Sequence, residues 1–312
     1  MNDNITFSVI IPHRNIPLLL RRCLASIPQR PDVQVIVVDD GSDPGIVDFQ
    51  RFPWPKGLCV ELLLTKKRKG AGYARNLGIK RARGKWLIFA DADDYFTEGI
   101  NKALDRYQDA QEEILYFPVE SVDSDTLTPT DRGEYWSGLL NRQNREDLRY
   151  LHVVPWGKFY KKALIDREKI LFDEVPFSND MMFATKAGHF ARGIGVSREV
   201  IYCVTARKGS LSFLRTAESL LPRFEVYLRK NACLKSVGKK EYIVPIAPTV
   251  LEIGKRAGIG SFCKAMRLVV HYRNNLFFHR RANLFVAVLV HFLRLREEKP
   301  PDKYVVYKGR RV

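Results

Sequence analysis

Short apolar runs alternate with amphipathic stretches through the first third of the chain. Phe7-Ser8-Val9-Ile10-Ile11 and Val33-Gln34-Val35-Ile36-Val37-Val38 read as buried strands. Residues 58–64, 86–90 and 114–119 continue the series. Between them, residues 18–27 carry helical apolar spacing behind Pro17, and residues 73–82 are helical. Thr97 stands where it would cap a helix running to about Ala110. Strands alternating with helices predict right-handed crossovers and an α/β fold with a mainly parallel central sheet. The pattern then loosens. Residues 120–150 read as polar and irregular, and Trp156-Gly157-Lys158-Phe159-Tyr160 predicts the opening of a short helix. Residues 179–184 open another helix, residues 194–203 read as a strand pair, and residues 207–212 as a loop. Beyond Glu218 the pattern is helical only. The expected division is one domain over residues 1–217 and a helical region over residues 218–312.

Charge changes this picture more than composition does. The 312 residues carry a formal charge of +17, which implies an anionic partner: nucleic acid, phosphorylated substrate or anionic lipid. A nucleic-acid binder would interleave aromatic and basic residues on a sheet face, and the first half of the chain lacks that pattern. From Lys255 to Arg296 there are nine Lys or Arg and no acid, interspersed with apolar runs such as Leu284-Phe285-Val286-Ala287-Val288-Leu289. Such a segment predicts an in-plane helix docking on an anionic membrane, because no run reaches the roughly 18 residues of a span. The five cysteines are odd in number, scattered and free of any Cys-x-x-Cys pair, which fits a reducing compartment better than a zinc or disulfide framework. Met1-Asn2-Asp3-Asn4 has no basic patch or apolar core, so no signal peptide is expected. A cytoplasmic, membrane-peripheral protein is the resulting expectation.

The candidate chemistry gathers at strand ends. Asp91-Ala92-Asp93-Asp94 follows an apolar strand, and like charges so placed are costly unless solvent or a cation relieves them. Hard oxygen ligands suit Mg²⁺ or Mn²⁺. Asn15 and the Asp39-Asp40 doublet end the first two strands, and in parallel sheets ligands bind at that rim. The doublet would serve either as a helix cap or as an acceptor for a nucleobase imide. Asp180 opens an apolar helix and would be a cap or a general base. Arg207 and Lys208 would reach a pyrophosphate or stay solvated. Gly70-Ala71-Gly72 has Arg75 where a dinucleotide motif needs its third glycine, which favours a close-approach turn over a nicotinamide or flavin site. The six histidines show no metal-ligand spacing.

Five stretches together carry a resemblance: Ser8-Val9-Ile10-Ile11-Pro12, Val37-Val38-Asp39-Asp40-Gly41-Ser42-Asp43, Ala74-Arg75-Asn76-Leu77-Gly78-Ile79, Gly84 through Asp94, and Asn179-Asp180-Met181-Met182-Phe183. Over about residues 5–215 the chain resembles family 2 glycosyltransferases of the GT-A fold, in the bacterial branch that builds capsule, O-antigen or lipopolysaccharide. The resemblance implies a nucleotide-diphosphate sugar donor, by the family's habit a UDP-sugar, a divalent metal and inversion at the anomeric carbon. It places Pro12 and Asn15 in the nucleotide pocket, Asp40 on the base, and Asp91 and Asp93 on metal and ribose-phosphate, with Asp94 adjoining. It places Asp180 as the catalytic base. Residues 1–120 would bind the donor and residues 121–217 the acceptor, a hydroxyl of a cell-surface glycan or lipid-linked sugar. One departure is Asn179, where the family usually has Glu. It keeps open a catalytically silent partner subunit as the alternative, and a homo-oligomer is also left open. The Gln-x-x-Arg-Trp signature of processive synthases is absent, which points to addition of one or a few sugars.

Overall fold

The computed structural model describes residues 5–142, 144–207 and 216–274. The chain divides into two compact units, Met1–Leu211 and Ser212–Val312. The first opens with β1 (Phe7–His13), α1 (Pro17–Ala25), β2 (Val33–Asp39), β3 (Val60–Leu64), α2 (Ala71–Arg81) and β4 (Trp86–Phe89). It continues with β5 (Tyr95–Phe96), α3 (Gly99–Tyr107), β6 (Ile114–Tyr116), β7 (Val119–Asp123), α4 (Glu134–Leu140) and α5 (Glu146–Leu151). It closes with β8 (Lys158–Lys161), α6 (Lys162–Arg167), α7 (Met181–Phe190), β9 (Ile194–Val196) and β10 (Tyr202–Ala206).

Seven strands form the central sheet in the order β3-β2-β1-β4-β8-β6-β9. Pairings β1·β2, β2·β3, β1·β4 and β6·β9 are parallel, and β8 runs antiparallel to both neighbours. Side-chain alternation along each strand fills both faces. Phe7, Val9, Val35, Val37, Trp86 and Ile88 pack with Leu20, Leu24, Ile100 and Leu104 of α1 and α3. Ile10, Ile36, Val38, Leu87 and Phe89 pack with Ile79, Leu164, Ile165 and Phe183 of α2, α6 and α7. The result is the expected α/β fold with a mostly parallel sheet, in which burial on both faces explains the near-continuous apolar strands. A second sheet, β5-β10-β7, lies beyond the end of β4.

Several local expectations fail for identifiable reasons. Residues 158–161 form a strand, not the start of a helix; Phe159 faces one core and Tyr160 the other, a two-sided burial that so short a run does not reveal by periodicity. Residues 194–203 are not a strand pair, since β9 joins the large sheet and β10 the small one. The irregular stretch after residue 119 contains β7, α4 and α5. Thr97 does not cap α3: its hydroxyl donates to the Val200 carbonyl at 2.6 Å, and the helix begins behind Glu98.

In the second unit, α8 (Ala217–Ser236) is followed by a 3₁₀ turn at Lys240–Tyr242 and by α9 (Ala247–His271), kinked at Gly258. Leu220, Phe224 and Leu228 of α8 pack against Val250, Ile253, Ala265 and Val269 of α9. Asn231 closes the connection by bonding both backbone groups of Val244. Lys255, Arg256, Lys264 and Arg267 are exposed. No helix among the described residues is long and apolar enough to cross a membrane. Of the basic segment 255–296, residues beyond 274 lie outside the described residues.

Candidate active site at the carboxyl edge of the sheet

The acid turn leaves the carboxyl end of β4. One carboxylate oxygen from each of Asp91, Asp93 and Asp94 lies within 4.8 Å of the others. The turn is held from behind by β10 and α1. The Tyr202 hydroxyl accepts the Asp91 N–H at 2.8 Å and donates to Asp94 at 2.9 Å. The Thr205 N–H donates to the other Asp94 oxygen at 2.7 Å, and the Thr205 hydroxyl to the Asp93 carbonyl at 2.7 Å. Arg22 donates to the same carbonyl at 2.6 Å. Burial, then the charge of Asp91, pushes the Asp93 carboxyl above the usual range, with Arg207 opposing. Burial and the charges of Asp93 and Asp91 push Asp94 well above it. Hard oxygen donors crowded at mutual electrostatic cost fit a divalent cation. Asp91 and Asp93 keep solvent access, whereas Asp94 is buried with a donor on each oxygen. Arg207 comes to 3.5 Å from Asp93, and Lys208 lies outside the described residues.

Two strands away, on the order of 10 Å, β2 ends in the Asp doublet. Neither acid caps a helix. Asp39 accepts from His13 Nδ1 at 2.9 Å and from the Ser42 N–H at 2.8 Å. Burial alone would raise its carboxyl, but the bonds from His13 and Ser42 outweigh burial and hold it below the usual range. The oxygens of Asp40 accept the N–H groups of Lys69 and Gly70 at 2.8 and 2.7 Å, pinning the basic loop to the rim. Asn15, in the left-handed region at φ 55°, accepts the Asp43 N–H and donates its own N–H to Ser42, joining the loops after β1 and β2. Pro12 lies half-buried on β1 beside Val38.

Asp180 stands on the other side of the acid turn. It precedes α7 in the cap position, yet its side chain makes no capping bond. It is partly exposed; burial raises its carboxyl above the usual range and Arg75 offsets part of that rise. Arg75 is the link between the two sides. Its buried guanidinium donates to Asp91 at 2.6 Å and to the Asn179 side chain at 2.7 Å. Asn179 thus occupies a neutral acceptor position facing a buried cation. The next residue, Asn76, bonds both backbone groups of Phe172 at 2.8 and 3.0 Å. Gly72 lets the segment approach: an added Cβ would sit 2.0 Å from the Asp173 carbonyl oxygen.

The structure therefore brings Asp91, Asp93, Asp94 and Arg207 together, connects Asp180 to them through Arg75 and Asn179, and leaves Pro12, Asn15 and Asp40 along the neighbouring strand ends. Sequence reasoning missed Arg75 and Asn76 as linkers, and Arg22, Tyr202 and Thr205 as supports. An arginine set among the small residues Gly72, Ala74 and Gly78 was the available signal for Arg75. The supports follow only from the contacts of α1 and β10 with the acid turn.

The uncharacterized glycosyltransferase EpsJ of Bacillus subtilis (strain 168) is 26% identical over 216 residues, covering 66% of this chain and 62% of that protein. The poly(ribitol-phosphate) beta-N-acetylglucosaminyltransferase TarS of Staphylococcus aureus (strain Mu50) is 29% identical over 211 residues, covering 65% of this chain and 36% of TarS. The chain thus spans less than two thirds of the length of these relatives. The crystal structure of S. aureus TarS residues 1–349 with UDP-GlcNAc superposes with a TM-score of 0.58 at 21% identity, over 91% of this chain and 76% of that one. The mannosyltransferase PcManGT from Pyrobaculum calidifontis, with GDP-Man and Mn²⁺, gives 0.56 at 16% identity, over 94% and 81%. These structural likenesses establish a shared fold. The profile described as glycosyl transferase family 2 matches residues 8–169, more than half of the chain, and the chain belongs to that family.

Proposed function

We propose that the protein is an inverting glycosyltransferase that moves a sugar from a nucleotide-diphosphate donor to an acceptor hydroxyl. The observation that carries this reading is the Arg75 bridge, which ties an acid turn suited to a metal–diphosphate to the segment bearing an uncapped carboxylate. Asp91 and Asp93, with Asp94 behind them, would hold Mn²⁺ or Mg²⁺, which when bound offsets charge on the departing diphosphate. Pro12, Asn15 and Asp40 line the nucleoside end of the donor site, and Arg207 offers N–H donors to the phosphates. Asp180 takes the proton of the acceptor hydroxyl as that oxygen attacks the anomeric carbon. The bond from that carbon to the phosphate oxygen breaks on the opposite side, so the configuration inverts. Holding donor and acceptor on one rim supplies a large part of the acceleration.

Residues 1–120 form the donor side and residues 121–217 the acceptor side. A UDP-sugar is the favoured donor, supported by UDP-GlcNAc in TarS, although PcManGT binds GDP-Man. The acceptor is a cell-surface glycan or lipid-linked sugar, of the kind used for capsule or lipopolysaccharide. About residues 255–296 dock on the cytoplasmic face of an anionic membrane, a reading supported by the exposed cations of α9. A panel of UDP-, GDP-, CDP- and dTDP-sugars screened by thermal shift, with and without Mn²⁺, tests the proposal. One donor class should raise Tm, and more so with Mn²⁺. Binding by none refutes the donor site. Binding without hydrolysis or transfer favours the silent partner subunit.

A further inference from the structure

Asp94 is set apart from the other two acids of the turn. One of its oxygens lies within 4.8 Å of an oxygen of each. Yet the residue is 3% exposed, against 33% and 21% for the side chains of Asp91 and Asp93. Both of its oxygens are engaged by β10: Oδ2 accepts the Tyr202 hydroxyl at 2.9 Å and Oδ1 the Thr205 N–H at 2.7 Å. The Tyr202 oxygen also accepts the Asp91 N–H at 2.8 Å. A backbone N–H can only donate, so the single phenolic proton is left for Asp94, and the hydroxyl has one way to point. One oxygen thus joins the first and last residues of the acid turn, which the bond from the Asp94 N–H to the Asp91 carbonyl closes at 3.0 Å. The ring that carries this hydroxyl is fully buried, stacked on Trp156 at 6.0 Å and edge-to-face with Phe96 at 5.4 Å. Phe96 is also the residue that Tyr202 faces across the β5·β10 pair, two positions beyond the turn.

We propose that Tyr202 and Asp94 form one positioning unit for the metal site. Asp94 is not a ligand; through the Tyr202 hydroxyl it fixes the backbone from which Asp91 and Asp93 reach the cation. The proposal rests on the reading of the acid turn as a divalent-metal site. A cation held by Asp91 and Asp93 is attracted by a third carboxylate a few ångströms behind them, so Asp94 strengthens the site by charge while keeping both of its hydrogen bonds. The Tyr202 hydroxyl keeps Asp94 turned towards β10. Phenylalanine at that position would strand the Asp91 N–H and remove one of the two donors to Asp94. Outer partners of this kind orient the ligands, and their loss costs roughly 10- to 100-fold in metal affinity.

The test reads metal affinity in the whole protein, with no donor, acceptor or turnover. Binding broadens away the EPR signal of free Mn²⁺, so a titration with Mn²⁺ alone gives the affinity. Tyr202→Phe should weaken binding by about tenfold. Asp94→Asn should weaken it by a similar factor, and the double variant by little more than either, because the two act as one unit. Asp93→Asn, which removes a ligand, should abolish measurable binding. Trp156→Phe, which loosens the packing behind the Tyr202 ring and leaves the hydrogen bonds of the turn in place, should lower Tm and keep wild-type affinity. Wild-type affinity in folded Tyr202→Phe overturns the proposal. So does an equal loss in Trp156→Phe, which would trace the effect to packing. Fully additive losses overturn it as well, and abolished binding in Asp94→Asn would make Asp94 a ligand. If Tyr202→Phe does not fold, Asp94→Asn decides: a loss of about tenfold supports the proposal, and unchanged or abolished binding overturns it. A wild-type protein that binds no Mn²⁺ removes the metal reading and this proposal with it, whereas the other outcomes concern the proposal alone.

Discussion

Gly72 is the position where a single methyl group should disturb the site most. It lies in the first turn of α2, under the segment that leads to Asp180. An added Cβ would stand 2.0 Å from the Asp173 carbonyl oxygen and 3.1 Å from the Asn179 Cβ, where ordinary contact begins at 3.4 Å. One backbone must therefore withdraw by about 1.4 Å, since neither partner is the free end of a side chain. Alanine contributes up to about 1 kcal/mol of helix propensity over glycine. Overpacking against a backbone atom costs about 1–3 kcal/mol. A net loss of about 1–2 kcal/mol corresponds to a Tm lower by roughly 2–8 °C for a unit of this size. The functional effect is larger, because Arg75 holds Asn179 and Asp180 moves with it. Displacing a positioned base by about an ångström costs on the order of 10²-fold in turnover. Gly72→Ala should lose about that much kcat while remaining folded well above the assay temperature. The assay is turnover of the donor found in the thermal-shift screen, beside a melting curve. Wild-type kcat with wild-type Tm would refute the close approach of α2 to this segment.

Asp93→Asn should lower turnover at limiting Mn²⁺ by at least about tenfold while Tm holds or rises, because a crowded like charge is removed; near-normal turnover would exclude Asp93 from the metal site. Asp180→Asn should cost roughly 10²-fold or more in turnover and leave donor affinity little changed. Collapse of donor binding alone would place Asp180 in the donor pocket instead. Because burial raises the Asp180 carboxyl, its protonated, inactive form persists above the ordinary carboxylate value of about 3.9. Wild-type turnover should therefore rise with pH through that elevated value. A rate that stays flat down to about pH 4 would contradict the assignment.

The parallel half of the fold was legible because β1, β2 and β4 are buried on both faces and so appear as unbroken apolar runs. The polar residues that interrupt those runs mark the strand ends, which is why the acid turn, Asp40 and Asn15 were visible as a rim. Strand β8 was not legible. Its Lys158 reads as surface, and its antiparallel insertion between β4 and β6 depends on partners far away in the chain. Arg75 was hidden for the same reason: its acceptors lie 16 and 104 residues downstream, and no local pattern announces them. Asp180 reads from the sequence as either cap or base, and the helix starts without a bond from its side chain, which removes the cap reading.

The interlock of α2 with residues 172–179 limits how this protein can be recombined with others of its family. A crossover near residue 120, where the proposed donor and acceptor sides meet, would separate Gly72, Arg75 and Asn76 from Asp173, Asn179 and Phe172, the groups they fit or bond. A chimera made there inherits a segment before α7 shaped for another helix. Acceptor specificity should transfer only when residues 70–76 travel with residues 172–180, so the unit of exchange is a pair of segments distant in the chain.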